Sequence, residues 1–529
     1  MAKIKLDKDI IPRLVDKFEN NISIPIFQRE FVWSDYQVVT LAESIYKGYP
    51  IGIMIFYEWV EDGKTQYKVL DGQQRLLSMI LMWKEHVQTE AGKRRLIIWF
   101  NVKTEEFKAS TYRPGSEWVK LSDVITKSST EEIVDIAQEL SSESGIPLGE
   151  VLKKLNHLWT RFNVEYEVPI YIVSKDIDLD ALGEIFVRIN FAGTRVRSAD
   201  INYTMLAIAN EEVAKLMRRF YHNLANAQLL GYEWDLEYGV IVRTFLAFLS
   251  EGKVRLESTV LRQAKTLKEL LKKKTNELMN LWRLTETSLI EAIKLLMDDD
   301  LLAIKSSKSR FLITQTPLIT MAYYIGRKYL AHNRSIPEDE KLGLIGWFVL
   351  STYYKRYSSA SETRLNEDLQ AISKGGSYRD LINNLKRQVG ELRISKETYR
   401  GSSTDKLFLL YVALRSKKAR DFYDRETLIN GLNATIHHIF PVNIVGGMYS
   451  RSEINDIANL TLILSSSNER IRESPKTYLK RIPYELLEAH LIPLDEKLWE
   501  ERKFKDFLEE RRKLLVDTIN EYLGKLNVI

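Results

Sequence analysis

Two short stretches hold residue types that can do chemistry together. The first is Asp71-Gly72-Gln73-Gln74-Arg75, which follows the apolar YKVL and precedes RLLSMILMW, where Leu76, Leu77, Ile80 and Trp83 recur at helical spacing. The implied context is strand, Asp-Gly turn, helix. A helix N-terminus presents unpaired N–H groups and the positive end of a dipole, glycine lets the backbone approach a ligand, and arginine adds a fixed charge, a combination that suits phosphate. Asp71 with Gln74 three residues later also fits a capping box that needs no ligand. Gln28-Arg29, directly after ISIPIF, puts a second arginine at a strand end, so two Gln-Arg pairs can converge.

The second stretch is His437-His438-Ile-Phe-Pro441. Two of only seven histidines stand side by side where no charged side chain occurs between Glu426 and Arg451. Asn459 follows 21 residues after His438, and Asn468 nine beyond that, opening a probable helix in the pattern. The order His, Asn, Asn suits a ββα-metal nuclease, in which imidazole takes a proton from the water that attacks a phosphodiester and one divalent cation stabilises the phosphorane charge. Adjacent strand residues point to opposite sides, so one His can face a phosphate while the other turns to a metal or to packing. The competing reading is a structurally satisfied histidine pair beside Pro441.

The elements that must position these residues follow from the whole chain. Its 529 residues are enough for three to four domains, and 45% hydrophobic with 28% charged residues excludes disordered and low-complexity classes. Zero cysteines exclude disulfides, zinc fingers, iron–sulfur clusters and thiol nucleophiles, and fit a reducing compartment. A net charge of +5 is compatible with nucleic acid without arguing for it. The N-terminus carries charges in every turn and no apolar h-region, so the expectation is a cytoplasmic protein with no membrane partner. Residues 1–210 mix short β-branched runs with helical ones and read as α+β, 211–395 read as an all-helical middle, and 396–529 as a third domain holding the histidine doublet among helices.

Four motifs, IPIFQREFVW, SIYKGYPIGIMIF, VLDGQQRLLSM and IFVRINFAGTRV, resemble in order the N-terminal domain of GmrSD-like type IV restriction proteins, over roughly residues 10 to 210. The resemblance implies a ParB/sulfiredoxin-like fold that binds and often hydrolyses a nucleoside triphosphate, GTP or ATP. It assigns Gln28 and Arg29, then Asp71, Gly72, Gln73, Gln74 and Arg75, then Arg188, Asn190, Gly193 and Thr194 to nucleotide binding. Sulfiredoxin chemistry itself is excluded, since it needs cysteine. For Asn190 and Gly193 the alternative is a plain turn between helices beginning near Leu179 and Ser198. Phe31 and Trp33 read as core rather than as stacking platforms.

HHIFP with IANLTLILSSSNERIRESPKTYL resembles the HNH domain that ends many GmrSD-like proteins, over about residues 430 to 480. That likeness implies a C-terminal ββα-metal fold with His438 as general base, Asn459 holding that base through the motif's turn, and His437 and Asn468 as metal ligands. Family members commonly carry Asp or Glu where His437 stands, and imidazole there shifts preference from Mg²⁺ toward Mn²⁺, Ni²⁺ or Zn²⁺. Two basic runs, Arg262 to Lys274 and Arg415 to Arg420, are further candidates for tracking phosphates, against the alternative of solvated helix faces. The resulting expectation is a nucleotide-regulated, metal-dependent endonuclease that nicks or cleaves double-stranded, modified or foreign DNA in defence, with a homo-oligomer open. The rival expectations are an NTP-dependent nucleic-acid-binding regulator with a degenerate HNH site and an NTPase toxin that cleaves RNA.

Overall fold

Alternation builds the central strands of the N-terminal unit. In β3 (Met54–Glu61), Met54 and Phe56 enter the main core while Ile55 and Tyr57 face a second apolar cluster on the other side of the sheet, as the two-residue period requires. A computed structural model describes residues 4–25, 31–61, 64–89, 92–177, 185, 198–257 and 260–529. Gln28, Arg29, Arg188, Asn190, Gly193 and Thr194 therefore lie outside the described residues. The chain divides into two units, Met1–Ala214 and Lys215–Ile529.

In the first unit a five-stranded sheet has the order β1-β10-β3-β4-β2, with β1 at Ile4–Ile10, β2 at Ile22–Ser23, β4 at Lys64–Asp71 and β10 at Glu167–Val173. β10 runs antiparallel to β1 and parallel to β3, and β3 runs antiparallel to β4. Helices α1 (Ile11–Asn20), α2 (Asp35–Lys47) and α3 (Gln73–Lys84) cover one face; Ile11, Leu14, Val38, Ile45, Leu76 and Ile80 share a core with Phe56, Val69 and Ile170. The start of α2 is set by a capping box between Ser34 and Gln37, and its end by Gly48 in the left-handed region. Helix α3 is buried from Gln73 through Met82 apart from half-buried Arg75, which makes it a central helix of the unit rather than a surface one. A hairpin of β5 (His86–Thr89) and β6 (Gly92–Arg95) and a small sheet of β8, β7 and β9 (Phe107–Ala109, Ile98–Asn101, Trp118–Lys120) complete the strands before β10.

Among its described residues the second unit is helical apart from one two-stranded ladder and an isolated bridge between Arg420 and Leu428. The helices Tyr238–Leu249, Thr316–Lys328 and Glu338–Tyr353 have long unbroken buried runs and form its centre. The Thr404–Ser416 helix packs against Glu338–Tyr353 on one side and against the final Phe504–Lys525 helix on the other. Asn520 on that final helix bonds both the N–H and the carbonyl of Ile394, at 2.9 Å each. The ladder pairs β11 (Thr435–His438) antiparallel with β12 (Leu460–Ile463), and the Ser465–Arg470 helix follows. No helix among the described residues is long and apolar enough to cross a membrane.

The β4-to-α3 connection depends on one glycine. The register shifts between Ile55, opposite Asp71, and Phe56, opposite Val69, and Leu70 packs with Val173 in the second cluster. Gly72 then turns the chain at φ +93°, where an added Cβ would lie 2.8 Å from the Met54 side chain. Gly72→Ala is expected to cost about 1–3 kcal/mol from backbone strain and crowding together, read as a lower urea midpoint with an unchanged m-value; an unaltered midpoint would show that the turn tolerates a side chain.

Candidate functional site

At the end of β4 the structure arranges the Asp71–Arg75 motif around the first turn of α3. Gly72 is the N-cap and no side chain caps the helix, so the capping-box alternative for Asp71 and Gln74 is not realised. Asp71 instead meets Arg75, whose Nη2 donates to Oδ2 at 3.0 Å while Nη1 donates to the Ile51 carbonyl at 2.8 Å. Gly52 lies so close above this guanidinium that a Cβ there would be 2.8 Å from Nη1. Two of the five arginine N–H groups are engaged in these bonds, which leaves donors for an anion.

The two glutamines differ in role. Gln74 is buried, and its Oε1 accepts the N–H groups of Val32 at 2.9 Å and Trp33 at 3.2 Å, which ties the motif to the segment that follows Gln28 and Arg29. Gln73, 7% exposed, has an Oε1 without a hydrogen-bond partner. A buried orphan acceptor is costly unless a ligand or water donates to it. Phe31 and Trp33 pack against the core, as expected. Arg94 of β6, which the sequence did not single out, stacks over the Phe31 ring at 4.5 Å and bonds the Trp33 carbonyl and Asp35. Nothing in the GKRR run distinguishes it from a solvated basic hairpin.

In the second unit the ladder separates the two histidines. His437, 3% exposed, has Nδ1 2.8 Å from Asn468 Oδ1 and Nε2 3.3 Å from the Tyr478 hydroxyl, which itself donates to the Ile439 carbonyl at 2.8 Å. Burial, partly offset by the Asn468 contact, pulls the His437 pKa down to about 4, so the ring is neutral and keeps a lone pair at neutral pH. His438 is half-buried on the other side, with Nε2 3.0 Å from Asn455 Oδ1. Asn455 was not among the expected residues, and an isolated Asn in SEINDIAN carries no signal of its own.

Asn459 makes no hydrogen bond to either ring. Fully buried, it accepts the Phe440 N–H at 2.8 Å and donates to the carbonyls of Phe440 at 3.1 Å and Ile454 at 2.9 Å, while its own carbonyl accepts the Ile439 N–H at 2.8 Å. It thus holds the main chain on which the histidines sit. Buried Arg511 on the final helix braces the same point, donating to the carbonyls of Ala458 at 2.8 Å, Leu460 at 2.6 Å and His490 at 3.1 Å. Buried Asp421 accepts from the N–H of Leu464 at 2.7 Å and from the Ser467 hydroxyl, fixing the start of the helix that carries Asn468.

His437 Nδ1 and Asn468 Oδ1 are hydrogen-bonded to each other, and because the carboxamide oxygen only accepts, Nδ1 carries the hydrogen in this arrangement; a divalent cation held by the two atoms would replace that hydrogen bond and need Nδ1 deprotonated. No group of three or more His, Asp or Glu residues converges among the described residues, so further ligands would be water or phosphate oxygens.

In the second basic run Arg415 is buried and bonded to the carbonyls of Ile429 and Asp299, which removes it from the candidates for phosphate contact, whereas Lys417, Lys418 and Arg420 are exposed and ion-paired with Glu521, Asp300 and Glu426. In the first run Arg262, Lys265, Lys272 and Lys273 are exposed, whereas Lys274 pairs with Glu251.

Comparison with known proteins agrees with the first-unit motifs. Residues 11–205 match the family model of the GmrSD restriction endonuclease, N-terminal domain. The matched segment includes Asp71–Arg75. Across 98% of this chain and 99% of its own length, the uncharacterized protein MJ0686 of Methanocaldococcus jannaschii is 20% identical.

Beside the doublet, His490 is fully buried, its Nε2–H donating to the Arg420 carbonyl at 2.7 Å and its Nδ1 accepting from the Thr461 hydroxyl at 2.7 Å. Burial pulls its pKa down to about 4. With a folded value below the unfolded one of about 6.5, its contribution is complete above pH 6.5 and is lost as pH falls through 4, up to about 3 kcal/mol. Urea stability measured at pH 7 and pH 4.5 for the parent and His490→Gln is expected to converge on acidification; a pH-independent difference would contradict the buried neutral ring.

Proposed function

We propose that the chain is a nucleotide-regulated, metal-dependent DNA endonuclease for defence against foreign or modified DNA. The observation that carries this reading is the splitting of His437 and His438 to opposite sides of β11, one toward Asn468 and one toward Asn455, on a main chain clamped by Asn459. The order β11, β12, helix, with the histidines on β11, Asn459 in the turn just before β12 and Asn468 on the helix, supports an HNH-type site.

In this reading His438 is the general base. It takes a proton from water, the resulting hydroxide oxygen bonds to phosphorus, the bond from phosphorus to the leaving oxygen breaks, and that oxygen takes a proton from solvent. His437 and Asn468 would hold a divalent cation, Mg²⁺ or Mn²⁺ with Ni²⁺ or Zn²⁺ as alternatives, and such an ion supplies charge stabilisation for the phosphorane and the leaving oxygen. Asn459 keeps the strand in register and touches no reacting atom. In the first unit the exposed edge of Arg75, the N–H groups of the first turn of α3 and the orphan acceptor of Gln73 support binding of GTP or ATP, with Gln28 and Arg29 as further contributors.

A second reading, a nucleotide-dependent DNA-binding regulator with a degenerate nuclease site, is favoured by one observation: neither of the two candidate metal ligands is a carboxylate.

His438→Ala is expected to slow nicking of supercoiled plasmid by a factor of about 10² to 10⁴ in Mg²⁺ or Mn²⁺ while the melting curve and GTP binding stay parental. A parental nicking rate would reject His438 as the general base, and a parent that nicks no DNA would favour the regulator. An RNA substrate in the same assay separates the toxin alternative.

Arg75→Ala is expected to weaken GTP or ATP binding about ten- to a hundredfold in a calorimetric titration. Unchanged affinity in a folded variant would remove the nucleotide from this turn.

A further inference from the structure

Among the described residues His438 has one side-chain hydrogen-bond partner, and that partner fixes which nitrogen carries the hydrogen. Nε2 lies 3.0 Å from Asn455 Oδ1. A carboxamide oxygen only accepts, so Nε2 carries the hydrogen in the neutral ring and the lone pair resides on Nδ1. Asn455 is itself held on two sides. It ends the Arg451–Ile454 turn of helix, which starts in a Ser450–Glu453 capping box, and its N–H bonds the Arg451 carbonyl at 3.1 Å. The residue before it, Ile454, is buried and gives its carbonyl to Asn459 Nδ2 at 2.9 Å. The same Asn459 carboxamide grips Phe440, two residues after His438. One buried side chain therefore sets the separation between the main chain carrying the imidazole and the main chain carrying its acceptor.

We propose that Asn455 is the positioning residue of His438, holding the ring as the Nε2–H tautomer so that Nδ1 is the atom that takes the proton. This rests on the reading of His438 as general base. Asn455 touches no substrate atom; it acts through His438 alone.

The test has a spectroscopic arm and a kinetic arm, both on the full chain. In protein labelled with ¹⁵N-histidine, long-range ¹⁵N–¹H correlations at pH 8, with the His438 signals identified by their loss in His438→Gln, are expected to give the Nε2–H pattern, and Asn455→Ala is expected to lose that preference. In plasmid nicking, Asn455→Ala should lower kcat about ten- to a hundredfold, the usual size for loss of an orienting partner, with KM unchanged. Asn455→Asp, which keeps the acceptor oxygen, should return kcat to within a few-fold of the parent. An Nδ1–H pattern in the parent, a parental kcat for Asn455→Ala, or failure of Asn455→Asp to recover activity would each overturn the assignment. A parent that nicks no DNA would instead remove the nuclease reading, and the ring correlations would still decide the role of Asn455.

Discussion

The candidate nuclease site depends on the buried carboxamide of Asn459. Its oxygen and nitrogen, with its backbone carbonyl, meet Ile439, Phe440 and Ile454, so the chain leaving β11 and the chain approaching β12 are fastened at one point. A side chain buried this deeply is tolerated because every polar atom is partnered. Arg511 performs the complementary task from the final helix, with its guanidinium feeding the carbonyls on either side of Asn459. That cation is fully enclosed, and burial draws its pKa down to about 9. Arg512 next to it bonds Asp456, which caps the turn leading into Asn459. The C-terminal helix is thus part of the architecture of the histidine strand.

The first unit uses a different device. Gly72 and Gly52 allow β4, the Ile51 loop and Arg75 to approach more closely than side chains would permit, and Gln74 fastens the chain from Val32 to Trp33 onto the same turn. The motif's residues therefore divide their work. Gln74 and part of Arg75 organise backbone, whereas the buried Gln73 oxygen has no hydrogen-bond partner. The match of residues 11–205 to the GmrSD restriction endonuclease N-terminal domain gives this arrangement its context.

What could be read from the residues and what could not follows the range of the interactions involved. The alternation that sends His437 inward and leaves His438 half-exposed is local, and the two-residue period of a strand predicts it. So is the strand-turn-helix around Asp71, because apolar runs flank an Asp-Gly pair. Asn455, Arg94 and Arg511 carried no such signal, since each acquires its meaning from a partner 17 or more positions away. The capping box suggested by Asp71 and Gln74 fails because Gly72 adopts a left-handed conformation and Asp71 turns to Arg75. Arg415 looked like part of a basic surface only because charge runs say nothing of burial; in the fold its guanidinium joins the segments around Asp299 and Ile429.

The short ladder between β11 and β12 makes the chain unequally tolerant of length changes. Deleting one residue within Thr435–His438 would exchange the sides on which the two imidazoles emerge, because side-chain parity reverses with every step along a strand. The neutral, enclosed position and the half-open one would then receive each other's ring. Between Pro441 and Arg451 the backbone lies outside the ladder, and a longer connection there changes closure entropy only slowly with length, provided Asn459 still reaches Phe440. Variation among homologous chains of this design is therefore expected to accumulate as insertions after Pro441 and to leave the spacing from Thr435 to Phe440 fixed.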